Sequence, residues 1–173
     1  SAGHTNVNMH KTLELELEDI NGTKLTFSFP DYGGEQIKAI VKDRRINSTW
    51  KEQIEKSNSW LLFIRLDAID PIEDLVNRGI PEPAILKLRS SEKKPMELSE
   101  IAFYTELLQI LLFTKKIALK RQINAPQLTI VISCWDLLTE DEQKSLPKEV
   151  LLKKLPGFYN FIQTTWQANS LQV

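Results

Sequence analysis

Two short stretches, far apart in a chain of 173 residues, hold side chains that could do chemistry. The first is Asp31-Tyr32-Gly33-Gly34-Glu35-Gln36, directly after an alternating run that ends at Pro30. A carboxylate there can hold Mg²⁺ through water, while Gly34, having no Cβ, lets its backbone N–H approach a terminal phosphate closely. Taken alone, Asp31-Tyr32-Gly33-Gly34 is better read as an ordinary tight turn. The second stretch is Ser133-Cys134-Trp135-Asp136, at the end of the apolar residues 128–133. In a doubly wound sheet, ligands collect at the carboxyl ends of the strands. A carboxylate at Asp136 can accept the ring N–H and the exocyclic amino N–H of guanine, a pair of donors that adenine lacks. The wrong base would leave a buried acceptor unpaired, at a cost of roughly 1–3 kcal/mol. A helix N-cap following a strand is the equally good alternative for Asp136 alone.

The elements that must position these residues are legible from periodicity. Leu13, Leu15 and Leu17 alternate with Glu14, Glu16 and Glu18, which marks a strand with one buried face and one wet face. Asn21-Gly22 follows, a strong hairpin signal because both residues tolerate positive φ, and Leu25, Phe27 and Phe29 form the returning strand's inward face. Ile37, Ile40, Val41, Trp50 and Ile54 then recur at helical spacing, so the Asp31 stretch sits where a strand hands over to a helix or loop. Residues 60–66 (WLLFIRL) and 128–133 (LTIVIS) read as strands covered on both faces. Between them, residues 73–95 lose any period and are expected as a mobile loop or insertion. Leu98, Ile101, Thr105, Leu108 and Leu112 trace a helix of about six turns, stopped by Asn124-Ala125-Pro126. The apolar positions after residue 145 read as helix broken near Pro147 and Pro156, with Leu171-Gln172-Val173 starting one more strand. The expected fold class is α/β, a mostly parallel sheet with an antiparallel edge hairpin and helices on both faces.

Composition narrows the function classes. With 42% hydrophobic and 26% charged residues the chain has material for one core, and its 22 Lys plus Arg against 23 Asp plus Glu leave a net charge of -1. That balance makes nucleic acid an unexpected partner. The basic run Lys115, Lys116, Lys120 and Arg121 is read as a solvated helix face. No apolar stretch reaches the ~20 residues that span a bilayer. The single cysteine, Cys134, offers no internal bridge, so a reduced, cytoplasmic setting is expected. His4 and His10 have no companions at ligand spacing, and neither G-x-S-x-G nor H-E-x-x-H occurs. Tyr32, Trp60 and Trp166 are read as core or edge aromatics.

The order hairpin, Asp31-Tyr32-Gly33-Gly34-Glu35-Gln36, helix, WLLFIRL, helix, LTIVISCWD, helix resembles the Ras-like, translation-factor-related class of P-loop GTPases over nearly the whole chain. The segment ISCWDLL followed by LPKEVLLKKLPGFYNFIQTTW is similar to bacterial double-GTPase domains, a group associated with multi-gene systems. The resemblance implies a cytoplasmic molecular switch that binds GTP or GDP with Mg²⁺, hydrolyses GTP, and acts on a protein partner or effector. It puts Asp31 near Mg²⁺ and the Gly34 amide at the γ-phosphate. Ser133 and Asp136 take the base-reading positions, where Cys134 replaces the family's lysine and so weakens guanine preference. Glu35, with Gln36 next, stands at the water-orienting position, where its negative charge implies slow turnover. For the switch I threonine that touches Mg²⁺, the resemblance leaves Thr5 and Thr12, of which Thr5 is taken.

One departure outweighs the rest: no G-x-x-x-x-G-K-[ST] occurs in the 173 residues. In the resembled fold that phosphate cradle follows a central strand lying between the strand that ends before Asp31 and residues 60–66. Losing it would leave two unpaired edges inside a core. The chain is therefore expected to be a single GTPase-like domain over residues 1–173, truncated at both ends and inactive alone. The rival reading is a GTPase-like scaffold for protein assembly that no longer uses nucleotide, motivated by Cys134, Glu35 and the missing cradle. A third is an unrelated doubly wound domain whose aspartates are only caps.

Overall fold

The alternating leucines do form strands. In the computed structural model, which describes residues 12–30, 34–67, 69, 99–118 and 121–173, β1 (Thr12–Glu18) pairs antiparallel with β2 (Lys24–Pro30), Thr12 opposite Pro30 and Glu18 opposite Lys24. Thr5, Asp31 and the expected loop over 73–95 lie outside the described residues. The hairpin turn is longer than Asn21-Gly22 alone. The Asp19 carboxylate accepts the backbone N–H groups of Asn21 (2.8 Å) and Thr23 (2.7 Å), and only Gly22 takes a positive φ, 79°. The expectation of a buried face is not met. Leu15, Leu17 and Leu25 are 48%, 46% and 54% exposed, because a two-stranded ribbon by itself has no second layer to bury them against.

The residues fall into two compact units: residues 1–57 with 107–118, and residues 58–106 with 119–173. In the first, the helical period after β2 yields two helices instead of one, α1 (Gly34–Asp43) and α2 (Ser48–Lys56). Arg44 turns left-handed at φ 51°, and Asn47 then caps α2 by accepting the Trp50 N–H at 2.9 Å. Ile40, Val41, Ile54, Leu107, Leu108 and Leu112 are its buried apolar residues.

The second unit contains the parallel sheet. β3 (Ser59–Arg65) follows α2, and α3 (Glu100–Thr114), whose last residues belong to the first unit, precedes β4 (Gln127–Ser133). α3 has 15 residues and stops well short of Asn124. Lys116 takes φ 61°, so that the N–H groups of Lys116 and Ile117 reach back to the Phe113 and Leu112 carbonyls, a Schellman ending with lysine where glycine is usual. After β4 come a 3₁₀ turn (Trp135–Leu137), α4 (Glu140–Gln143), α5 (Pro147–Lys154), α6 (Pro156–Thr165) and β5 (Leu171–Gln172). Pro147 and Pro156 each occupy a first turn, where the missing N–H costs nothing.

The sheet order is β3-β4-β5, all parallel, with Trp60 opposite Leu128 and Arg65 opposite Ser133. The α/β class is as expected, and the hairpin forms its own two-stranded sheet. β4, the middle strand, buries Leu128 and Ile130 and half-buries Val131. β3 is not covered on both faces: Ile64 is buried, but Leu61 and Phe63 are 44% and 55% exposed. Leu151, Leu155, Phe158, Ile162 and Trp166 complete the core, and the Trp166 Nε1–H donates to the Pro126 carbonyl at 2.8 Å. Trp166 is thus the core aromatic its sequence position suggested.

Candidate functional site

The carboxyl ends of β3 and β4 lie side by side because Arg65 and Ser133 are register partners. A parallel pair presents both carboxyl ends at one rim, so whatever follows Ser133 is delivered there. Ser133 itself turns its hydroxyl into the sheet, donating to the Ile64 carbonyl at 3.3 Å. Its proton is thereby committed, and only its lone pairs remain for a ligand.

Cys134 then adopts φ 56°, ψ 43°, a left-handed conformation costing a residue with a Cβ about 1–2 kcal/mol. It ends the strand abruptly and starts the 3₁₀ turn, held by Leu137 N–H to Cys134 O (3.0 Å) and Leu138 N–H to Trp135 O (3.2 Å). Asp136 is the middle residue of that turn and is exposed. It is not a cap: Cys134 precedes the 3₁₀ turn, and the cap of α4 is Thr139. Among the described residues, no hydrogen bond or ion pair engages its carboxylate. Exposed, and with no partner among the described residues, the carboxylate has acceptor oxygens of the kind that can meet a pair of donor N–H groups.

The turn is anchored from behind. Thr139 and Glu142 form a capping box, Thr139 N–H to Glu142 Oε2 at 3.3 Å and Glu142 N–H to Thr139 Oγ1 at 3.4 Å. Glu142 is buried, with Lys153 Nζ at 3.4 Å and Lys154 Nζ at 3.5 Å from Oε1. Burial pushes its carboxyl up, but the Thr139 N–H and hydroxyl, Lys154 and Lys153 outweigh it and hold the group below the usual carboxylate range. Lys154 also donates to the Ile69 carbonyl at 3.0 Å, tying α5 to the chain just beyond β3.

At the end of β3, Arg65 makes a forked pair with Asp67, Nε to Oδ1 at 2.7 Å and Nη2 to Oδ2 at 2.8 Å. Neither Arg65 nor Gln143 carries a signal in the sequence beyond, for the first, an Arg-x-Asp spacing at a strand end. Of the other sequence-derived candidates, Gly34 opens α1 and Glu35 and Gln36 are its second and third residues. The amides of a helix's first turn have no intrahelical acceptor, so the Gly34 N–H is of the kind that can meet an anion. Among the described residues, no group of three or more His, Cys, Asp or Glu could hold a metal, and no helix is long and apolar enough to cross a membrane.

A family model described as Double-GTPase 1 matches residues 1–173. No curated protein and no solved structure matches the chain.

Proposed function

The chain belongs to the Double-GTPase 1 family, and on that premise we propose that it is the switch-bearing and base-reading part of a regulatory domain that binds Mg²⁺ with GTP or GDP and turns GTP over slowly. The observation that carries the reading is Asp136, exposed, without a partner among the described residues, and held on a turn at the carboxyl rim of the parallel sheet. Its carboxylate accepts the two N–H donors of guanine. Ser133 supports the base end through its backbone and lone pairs. Asp31 and Thr5 face Mg²⁺, the Gly34 amide meets the γ-phosphate, and Glu35 and Gln36 orient the attacking water. Mg²⁺ supplies charge neutralisation at the phosphates when bound; the residues of this chain bind, orient and order around the nucleotide.

Residues 1–173 act in this reading as one GTPase-like domain whose phosphate cradle comes from another segment. Asp31 and the start of α1 order on the γ-phosphate, and a protein partner reads that state. Asp136→Asn in the full-length protein is expected to weaken GTP binding about tenfold or more by titration calorimetry, since one acceptor becomes a donor facing a donor. An unchanged affinity removes the base-reading role.

Two observations favour a nucleotide-independent assembly scaffold instead: Cys134 stands where the family's lysine would cover the base, and the Ser133 hydroxyl is spent on Ile64. Absence of any guanine nucleotide binding by the full-length protein selects that reading.

A further inference from the structure

Asp136 sits on a turn too short to orient it unaided. Its three residues contribute two backbone hydrogen bonds, and the carbonyls of Asp136 and Leu138 receive neither of them. Both are taken by one side chain: Gln143 Nε2 lies 3.2 Å from Asp136 O and 2.7 Å from Leu138 O. Two carbonyl acceptors require the nitrogen of the carboxamide there, with one proton for each. Gln143 is the last residue of α4, and its own N–H reaches Thr139 O at 2.9 Å. The residue before it, Glu142, is the buried carboxylate gripped by Lys153 and Lys154. Glu142 and Gln143 are adjacent residues of α4, so the helix that Lys153 and Lys154 hold at one side chain reaches the main chain of Asp136 with the next.

We infer that Gln143 is a positioning residue that sets the direction of the Asp136 carboxylate and so its selectivity for guanine over bases with fewer donors. The inference rests on the proposed base-reading role of Asp136. Without the staple the two 3₁₀ bonds of the turn open more often, the Asp136 and Leu138 peptides gain freedom, and a bidentate acceptor loses its fixed aim. Sequence alone has no signal for this, because a glutamine seven residues downstream of Asp136 is an unremarkable surface residue.

Two measurements separate this inference from the reading beneath it. In the full-length protein, Gln143→Met, similar in size and without donors, is expected to speed amide exchange at Leu137 and Leu138 about fivefold while leaving Ile130 and Ile132 of β4 unchanged. Unchanged exchange at Leu137 and Leu138 overturns the positioning role whatever the chain binds. In the full-length protein, the ratio of GDP to IDP affinity is measured by calorimetry, since IDP lacks the exocyclic amino group. Gln143→Met should lower that ratio about fivefold, and Gln143→Lys, which keeps donors for both carbonyls, should restore most of it. If Asp136→Ala lowers the ratio but Gln143→Met does not, the positioning role fails and the base-reading role stands. If Asp136→Ala leaves the ratio unchanged, the base-reading role fails and this inference with it. Should Gln143→Met not fold, Gln143→Lys carries the test: a wild-type ratio supports the donor role, and a collapsed ratio in a folded protein overturns it.

Discussion

Tyr104 in α3 packs edge-on against Phe103, ring centroids 5.3 Å apart, and tilted against Phe158 at 5.6 Å. Burial of the phenol, with the Glu100 carboxylate adding to it, pushes its pKa up to about 12. The folded value lies above the ordinary value of 10.0. The folded state therefore holds a proton that the unfolded state has lost between the two, and stability present below pH 10 is lost as pH rises toward 12. Ultraviolet titration should show one tyrosine ionising late, and Tyr104→Phe should remove that part of the alkaline loss. An alkaline stability profile identical in Tyr104→Phe and wild type would contradict the assignment. Lys115, read from sequence as part of a solvated basic face, donates to the Ile54 and Glu55 carbonyls at 3.0 and 2.8 Å and closes the end of α2.

Helix limits in this chain are set by capping residues more than by the apolar period. A continuous period from Ile37 to Ile54 contains a break that no glycine or proline announces: Arg44 goes left-handed and Asn47 restarts the helix. Asn47→Ala removes the acceptor for the Trp50 N–H and is expected to cost about 1 kcal/mol, read from urea midpoints, whereas Asn47→Asp keeps the acceptor and most of the stability. Equal losses in the two variants would show that the cap contributes nothing. α3 ends four turns in for a similar reason, with Lys116 where glycine would have flagged the stop. Where capping signals were conventional they could be read in advance. Pro147 and Pro156, noticed as interruptions, turn out to begin α5 and α6.

For the molecule as a whole, the acid limit of stability is tied to the carboxylates held below their ordinary range. Glu142 is the buried one, joined to Lys153 and Lys154. Asp67 shares the direction, chiefly through its hydrogen bond to Arg65, but that pair is more exposed than Glu142 with Lys154, which makes its share smaller. Their folded pKa values lie below the unfolded ones. The stabilisation is therefore present above the ordinary carboxyl values of 4.5 and 3.8 and disappears as pH falls through the lower folded values. Urea midpoints should fall steeply below about pH 4.5 in the wild type. Glu142→Gln should be less stable at neutral pH by roughly 3 kcal/mol, having left Lys154 buried beside a neutral group, and should show a shallower acid slope. An acid slope unaltered by Glu142→Gln would place the loss elsewhere.

By itself the sequence determined the order of the hairpin, β3, α3 and β4, but not the 3₁₀ turn that carries Asp136, the short α4 or the division of α1 from α2. Period-two runs can only bury one face of a strand, continuous apolar runs of strand length belong in a parallel sheet, and Asp136 follows such a run at the carboxyl end of its strand. It also located the strand-to-helix handover, since β2 ends at Pro30 and α1 begins at Gly34. Tertiary structure alone decided that Ser133 donates into the sheet, that Cys134 turns left-handed, that Leu61 and Phe63 stay exposed, and that Gln143 reaches back to the Asp136 main chain. Those outcomes depend on which acceptor lies within about 3 Å of a donor once strands and helices have packed, a distance that no residue type or spacing specifies.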